Sequence, residues 1–192
     1  MKDTELIIRC QKGDLNSFSE LYQAYKKRAF GTAYLISNQK GIADDIVQEA
    51  FIQCYKTIKN LKNPETFDVW FYKVLVRTGW RLVKKHNRFI LMEELYETED
   101  LNSTTNISIT KLDVYDALEK LSLPLKTVVI LHYFNDLTIE EISNVLGCFK
   151  GTVKSRLHNA RKQLFKALDG DAQQAERSLV YERKEYGFDG NV

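Results

Sequence analysis

The stretch TIEEISNVLGCFKGTVKSRLHNARKQLFKAL, residues 138–168, has the pattern of two helices separated by a glycine turn. Thr138 followed three residues later by Glu141 is the sequence of a capping box, which marks the start of a helix. Gly147 predicts the end of that helix, because glycine adopts a left-handed backbone at little cost. The apolar residues at helical spacing are Ile139, Ile142, Val145 and Leu146 before the turn, and Val153, Leu157, Ala160, Leu164 and Leu168 after it. The stretch therefore predicts a helix-turn-helix.

The second of these helices is basic on the face opposite its apolar stripe. Residues 151–168 contain no Asp or Glu. The basic residues on the outer face are Lys154, His158, Arg161, Lys162 and Lys166. Such a helix fits the major groove of DNA, where each carboxylate would lower the affinity for phosphates. The alternative is a solvated amphipathic helix of a bundle, but the capped helix and the glycine turn before it favour DNA binding.

A second stretch without acids covers residues 69–92 and contains six Lys or Arg. Its predicted inner face consists of Phe67, Phe71, Val74, Thr78 and Leu82. A basic stripe beside that face consists of Lys73, Arg77, Arg81, Lys84 and Arg88, and Trp70 and Trp80 border the stripe. Cations interleaved with aromatic rings suit melted DNA, because cations follow the phosphates and rings stack on unpaired bases. Either tryptophan could instead be a core residue, an alternative that fits Trp70 better than Trp80.

Charge and helical period divide the chain of 192 residues into four parts. Residues 1–90 carry 16 basic and 9 acidic residues and repeat apolar residues at helical spacing, which predicts a helical bundle. Residues 91–111 carry one Lys and five acids and then become rich in Ser, Thr and Asn, as a flexible linker does. Residues 112–168 hold the helix-turn-helix. Residues 169–192 form a tail of weak periodicity, a candidate for disorder. We therefore expect an all-α fold with two small helical domains.

Composition excludes several classes of protein. The three cysteines stand far apart and the three histidines are dispersed, so we expect no metal site, no catalytic residue and no cofactor. No phosphate-binding glycine loop or nucleophile motif is present. No apolar stretch approaches the length of about 18 residues that a membrane span needs, which predicts a cytoplasmic protein.

Four motifs in order, spread over residues 4–168, resemble the extracytoplasmic-function (ECF) group of the sigma-70 family of RNA polymerase sigma factors. ELIIRCQKGDLNSFSELYQAY resembles the start of region 2, and ADDIVQEAFIQCYKTI resembles its polymerase-binding segment. FDVWFYKVLVRTGWRLVKK resembles the helix that engages the −10 element. ALEKLSLPLKTVVILHYFNDLTIEEISNVLGCFKGTVKSRLHNARKQL resembles region 4, which reads the −35 element. The resemblance implies region 2 over residues 1–90 and region 4 over residues 112–168.

The resemblance also implies three sets of contact residues. The polymerase-binding set, expected to face the clamp coiled coil, is Asp44, Asp45, Val47, Gln48, Glu49, Phe51 and Ile52. The −10 set is Asn63, Pro64, Glu65, Thr66, Lys73, Arg77, Trp80, Arg81, Lys84 and Lys85, and its first four residues fall where the family captures a flipped base. The −35 set is Lys150, Thr152, Lys154, Ser155, Arg156, His158, Asn159, Arg161 and Lys162.

Some of these residues have a second interpretation. Asp44 and Asp45 also suit a helix start, where they would interact favourably with the helix dipole. The acidic run of the linker, which is Glu93, Glu94, Glu97, Glu99 and Asp100, suits either the basic RNA path of polymerase or simple solvation.

The sequence departs from the family pattern at Arg81, where an acid is common, at Ser143, where Ala is usual, and in the turn at 148–150.

The partners implied by the resemblance are core RNA polymerase, promoter DNA and an anti-sigma factor, which is often membrane-anchored in the family. No small-molecule substrate is expected. A stand-alone helix-turn-helix regulator is the alternative function. It would bind its operator without polymerase and would leave the basic, aromatic helix at 67–88 without a role. A purely structural helical adaptor would not explain two basic helices without acids.

Overall fold

The computed structural model describes residues 4–93 and 115–185, with side chains over residues 4–88 and 115–167. The first part contains α1 (Thr4–Gln11), α2 (Leu15–Ser37), α3 (Lys40–Thr57) and α4 (Phe67–Glu93). Two short 3-10 turns, Ile58–Asn60 and Pro64–Thr66, connect α3 to α4. The second part contains a helical turn at 115–119, α5 (Leu123–Val129) with a π-helical continuation (Ile130–Phe134), α6 (Ile139–Leu146) and α7 (Lys150–Glu185). No strand occurs within these two ranges, which confirms the all-α prediction.

Side-chain caps and left-handed residues mark the helix ends. The Asp14 side chain caps α2 by accepting hydrogen bonds from the backbone N–H groups of Asn16 and Ser17. Asn38 ends α2 in the left-handed conformation with a φ of 54°. In the helix-turn-helix, the Thr138 hydroxyl accepts from the Glu141 N–H at 3.2 Å while the Glu141 carboxylate accepts from the Thr138 N–H at 2.9 Å. The predicted capping box is therefore confirmed.

Helices α2, α3 and α4 pack around a core of aromatic and aliphatic side chains. Phe71 lies at its centre, fully buried, with ring centroids at 5.0 Å from Phe51 and 5.6 Å from Tyr25. The buried face of α4 differs from the predicted one, because Tyr72, Leu75 and Val76 are buried whereas the predicted Val74 and Leu82 are only half-buried. The reason is that α4 packs against three helices, α2, α3 and α6, whereas a single apolar stripe implies one neighbouring surface.

The helix-turn-helix folds on its predicted apolar stripes. Ile142 and Val145 on α6 are buried, as are Val153, Leu157 and Ala160 on α7. Gly147 ends α6 in the left-handed conformation with a φ of 64°, as the sequence predicts. The turn therefore directs α7 across α6 with its apolar stripe inward and its basic face outward.

Two boundaries differ from those expected. Helix α4 continues to Glu93, beyond the predicted start of the linker at 91, and residues 94–111 of that linker lie outside the described residues. Helix α7 continues to Glu185, into the stretch that we expected to be a tail with weak periodicity. Residues 172–185 are rich in Ala, Gln, Glu, Arg and Lys, which propagate a helix well even without an apolar stripe.

The two helical parts also pack against each other. Helix α4 contacts α6, and α2 contacts both α5 and the π-helical turn. One apolar cluster therefore includes Leu75 and Val76 of α4 together with Ile142 and Val145 of α6. This packing places the two predicted DNA-binding helices on one continuous body.

Candidate nucleic-acid and polymerase interfaces

The start of α7 presents its predicted −35 residues to solvent. Seven of the nine are exposed, and Thr152 and Arg156 are half-buried. The exposed residues are Lys150, Lys154, Ser155, His158, Asn159, Arg161 and Lys162. The opposite face, with Val153, Leu157 and Ala160, is buried in the core. The geometry needed for a groove-binding helix is therefore present: one anchored face and one free basic face.

A hydrogen bond within α6 accounts for one of the departures from the family pattern, and an ion pair joins α6 to α7. The Ser143 hydroxyl is buried and donates to the Glu140 carbonyl at 2.7 Å, so a serine fits where alanine is usual. The Lys150 ammonium lies 2.8 Å from the Glu140 carboxylate and ties the start of α7 to α6. Phe149, between the two helices, is 87% exposed.

Helix α4 carries the predicted −10 stripe on its outer face. Arg77, Arg81, Lys84 and Lys85 are exposed, and Lys73 is half-buried. Because the other side of α4 is packed against α3 and α6, these cations share the remaining accessible side of the helix. Their positive charge is thus concentrated on one elongated surface that no acid of α4 interrupts between residues 69 and 88.

The two tryptophans of α4 are both half-buried. The Trp80 indole N–H donates a hydrogen bond of 2.9 Å to the Thr127 hydroxyl on α5. Trp70 packs beside Phe67, with ring centroids 5.8 Å apart. In this conformation Trp80 therefore contacts the C-terminal half of the chain, a relationship that the sequence pattern did not predict.

The predicted base-capture turn lies beside a cleft of about 400 Å³. Asn63 caps the turn by accepting from the Glu65 N–H at 3.0 Å, and the Thr66 hydroxyl donates to the Asn63 carbonyl at 2.8 Å. The cleft is lined by Leu61, Glu65, Thr66, Val69, Trp70 and Lys73, and also by Glu141 and Asn144 of α6. Helix α6 thus reaches the part of region 2 that was predicted to capture DNA.

An open groove between α2 and α3 brings together most of the predicted polymerase-binding residues. Its volume is about 710 Å³. Five predicted residues line it, which are Asp44, Val47, Gln48, Phe51 and Ile52. Val47 and Phe51 form a buried floor, while Ile52 is 45% exposed. Asp45 is exposed and Glu49 is half-buried, and neither lines the groove.

Sequence reasoning missed the other wall of this groove. Leu15, the first residue of α2, is 65% exposed, and Tyr55 on α3 is 48% exposed. Leu15, Phe18, Tyr22 and Tyr55 complete the lining. The available signal was a set of large apolar residues that lie off the core stripes of two adjacent helices, next to exposed carboxylates.

Glu49 lies on the side of α3 that faces α4, where it forms an ion pair with Arg81. The hydrogen bond from the Arg81 guanidinium lowers the pKa of the Glu49 carboxyl, and the same bond raises the pKa of Arg81. The basic residue at position 81, which departs from the family pattern, therefore has a partner within the chain.

Known families match both helical parts. The model of sigma-70 region 2 matches residues 21–89, and that of sigma-70 region 4 matches residues 111–164. The RNA polymerase sigma factor SigV of Bacillus subtilis is 34% identical over 139 residues, which are 72% of this chain and 82% of SigV. This chain belongs to the sigma-70 family of RNA polymerase sigma factors. The ECF sigma factor SigW of the same organism is 31% identical over 176 residues, 84% of this chain and 94% of SigW, and places the chain in the ECF group.

Solved structures of sigma factors share the fold. The structure of CnrH in complex with the cytosolic domain of CnrY aligns with a TM-score of 0.68 at 20% identity, over 89% of this chain and 99% of that one. RpoE of Bartonella quintana, solved with the anti-sigma factor NepR, aligns with a TM-score of 0.67 at 20% identity, over 81% of this chain and 98% of RpoE. The likeness extends over both helical parts of this ECF sigma factor.

None of the helices among the described residues is both long and apolar enough to cross a membrane. Across the same residues, no three His, Cys, Asp or Glu side chains come together in a group that could hold a metal ion.

Proposed function

We propose that this ECF sigma factor directs core RNA polymerase to promoters by contacting the −35 duplex with the start of α7 and the melted −10 element with α4. The observation that carries the proposal is the exposed basic face of α7, free of acids over residues 151–168 and anchored by a capped helix-turn-helix. The alternative of a stand-alone regulator leaves the matched region 2 without a role.

The −35 contact requires a rigid helix whose outer face is both cationic and rich in short polar groups. Arg161 and Lys162 provide charge for the phosphates, while Ser155 and Asn159 are short enough to approach base edges. The buried stripe fixes the rotation of α7, so the same residues meet the groove each time the protein binds. We therefore assign phosphate contacts to the cations and base contacts to the short polar residues.

The −10 contact requires cations along a backbone and rings or pockets for unpaired bases. The exposed stripe of α4 supplies the cations, and the capped turn at Asn63 borders a cleft that contains the Trp70 ring. Trp80 would stack on a base, or wedge beside one, after its N–H leaves Thr127. We expect Asn63, Pro64, Glu65 and Thr66 to bind the flipped base that the family captures there.

Polymerase would dock on the groove between α2 and α3. The groove combines exposed apolar side chains, such as Leu15 and Ile52, with the exposed carboxylate of Asp44. An amphipathic helical partner that carries basic residues would bury the apolar side chains and pair with the carboxylate. A clamp coiled coil of the largest polymerase subunits has this helical form.

Regulation by an anti-sigma factor forms part of the proposal. The solved structures of CnrH and RpoE are complexes with the cytosolic domain of CnrY and with the anti-sigma factor NepR, respectively. We propose a partner of the same class for this chain, which would act in the cytoplasm. We assign no catalytic step to the chain itself, because the chemistry of transcription belongs to the polymerase on which it mounts.

A gel-shift experiment with and without purified core polymerase, together with a run-off transcription assay, tests this function. We expect the chain alone to bind promoter duplex weakly, and the complex with polymerase to bind it tightly and to give run-off transcripts from a genomic promoter library. Strong duplex binding by the isolated chain as a dimer, with no effect of polymerase, would favour a stand-alone regulator instead.

A further inference from the structure

An isolated aromatic ring stands at the start of the basic helix. Phe149 directly precedes α7 and is 87% exposed, against 45% for Ile52 on the groove between α2 and α3. Water solvates an apolar ring poorly, so a phenylalanine side chain is usually buried at least in part. Packing within the chain therefore does not explain why a phenylalanine stands at this position.

Phe149 also occupies the position at which a helix is normally capped. Its carbonyl accepts from the Thr152 N–H at 2.9 Å and from the Val153 N–H at 3.2 Å, so it is the residue that flanks the first turn of α7. Ser, Thr, Asp and Asn are favoured there, because their side chains accept from the first N–H groups of the helix. Thr138 has this role for α6, but a phenyl ring cannot accept such a bond. Helix capping therefore does not explain Phe149 either.

The residues on either side of Phe149 hold its backbone in a fixed place. The Cys148 N–H donates to the Ser143 carbonyl at 3.1 Å, and Cys148 packs against the core. The Lys150 ammonium lies 2.8 Å from the Glu140 carboxylate. The ring is therefore exposed, while the backbone that carries it is anchored to α6 on both sides. A contact that selects one base needs such a rigid support.

The helix surface that follows Phe149 is polar and cationic. The exposed residues between 150 and 160 are Lys150, Gly151, Lys154, Ser155, His158 and Asn159. A protein-docking surface groups several apolar side chains, as the groove between α2 and α3 does. A single ring at the edge of a cationic face instead suits a partner that is mainly anionic and displays isolated apolar groups. The major groove of DNA has this character.

The major groove offers one apolar group that a phenyl ring can recognise. Among the four bases only thymine displays a methyl group there, and phenylalanine recognises that methyl by apolar contact. The residues at the N-terminal end of a recognition helix are the ones that reach base edges. Phe149 lies at this end of α7, ahead of the cations that would contact the phosphates.

We propose that Phe149 is a specificity-determining residue that contacts the C5-methyl group of a thymine in the −35 element. This inference rests on the proposed function, since it requires α7 to enter the −35 major groove. It adds an apolar base contact to a predicted −35 set whose members are all polar. The ring selects thymine because it removes the methyl group from water, whereas it offers no hydrogen-bond partner to the polar edges of the other bases.

Transcription from a promoter library tests this contact with the full chain bound to core polymerase. The templates are barcoded duplexes randomised over the −35 element, and the barcodes of the transcripts are sequenced. At one position the wild type should favour thymine by about fourfold, the effect of one methyl group removed from water. Phe149→Ala should lose the preference at that position alone. Phe165→Ala is the matched control and should keep it, because Phe165 is 72% exposed on the same helix, about 24 Å farther along.

Uracil in place of the selected thymine removes only the methyl group. In fluorescence anisotropy, the wild-type holoenzyme should bind the uracil duplex about fourfold more weakly than the thymine duplex. Phe149→Ala should bind the two duplexes equally. Phe149→Ser supplies a capping hydroxyl, so it should unfold at the same urea concentration as the wild type or a higher one, and yet it should lose the discrimination. This variant separates base recognition from stability.

The proposal is overturned if Phe149→Ala keeps every thymine preference of the wild type, or if the wild-type holoenzyme binds thymine and uracil duplexes equally at every −35 position. Weaker transcription from all templates with unchanged preferences also contradicts it, because Phe149 would then contact protein rather than a base. Failure of the proposed function is distinguishable, since the wild type would then give no promoter-specific transcripts with core polymerase, which would overturn both proposals. Failure of this inference alone leaves transcription by the wild type intact.

Discussion

Glu49 on α3 and Arg81 on α4 form an ion pair that joins the helix proposed to contact polymerase to the helix proposed to contact the −10 strand. Both side chains are substantially exposed, so we expect the pair to contribute only about 0.2–1 kcal/mol to stability. The main effect of the pair is on orientation, because it holds the Arg81 guanidinium of the −10 stripe beside α3.

The contribution of this pair should depend on pH. Because the Glu49 pKa is lowered from its ordinary 4.5, its stabilising effect is complete above that value and is lost as the pH falls through the folded-state pKa. Glu49→Gln should therefore lower the free energy of unfolding in urea at pH 7, and the difference from wild type should shrink under acidic conditions. A difference that stays constant across this pH range would show that the ion pair is not its source.

Replacing Arg161 or Lys162 by Ala should weaken transcription that depends on the −35 element. If each cation contacts one phosphate, the slope of log affinity against log salt for the holoenzyme should fall by about 0.9 per substitution. Lys12→Ala serves as the control, because Lys12 is an exposed cation at the end of α1. Unchanged transcription and salt slope in both variants of α7 would remove these residues from the interface.

Ile52→Ala should weaken binding to core polymerase by at least about tenfold, because Ile52 is an exposed apolar side chain on the groove between α2 and α3. Its free energy of unfolding should change by less than about 0.5 kcal/mol, as expected for an exposed position. Ile8→Ala is matched in chemistry and exposure, and Ile8 lies on α1 outside the groove. Equal polymerase affinities for the two variants, measured by fluorescence titration, would place the docking surface elsewhere.

Trp80→Ala should impair promoter opening more than formation of the closed promoter complex, since the indole ring is proposed to act on parted strands. Trp80→Phe keeps an aromatic ring but removes the N–H that binds Thr127, so it should retain more opening activity than the alanine variant. Permanganate reactivity of melted thymines reports opening, and gel shift at low temperature reports the closed complex. Unfolding of the alanine variant would instead identify Trp80 as a core residue.

Much of this fold could be predicted because its signals are local. Thr138, Glu141 and Gly147 define the first helix of the helix-turn-helix within ten residues, and the structure has the same cap and the same left-handed end. The turn at Asn38 likewise depends on its own backbone conformation. A helix start or end is determined by neighbouring residues, so a single sequence is sufficient to find it.

Contacts between distant segments could not be predicted in the same way. Asn135 follows an apolar stretch and has no local partner in the sequence pattern, yet it bonds to Thr32 and Tyr72, which are 103 and 63 residues away. The unpredicted buried residues of α4 have the same origin, since they face segments that are distant in the sequence, such as α6 and Asn135. The second wall of the polymerase groove also depends on which helix lies beside α3. Such pairings arise from tertiary packing, and the periodicity within one helix carries no information about which segment packs against it.

We propose that this chain recognises promoters as a subunit of RNA polymerase. Titration of the labelled full chain with purified core polymerase tests it most directly. We predict a one-to-one complex that forms at nanomolar concentrations and that converts core polymerase, inactive at specific promoters, into an enzyme that initiates at defined start sites. A chain that shows no binding to core polymerase at micromolar concentrations, while it retains its helical fold, would contradict the proposed function.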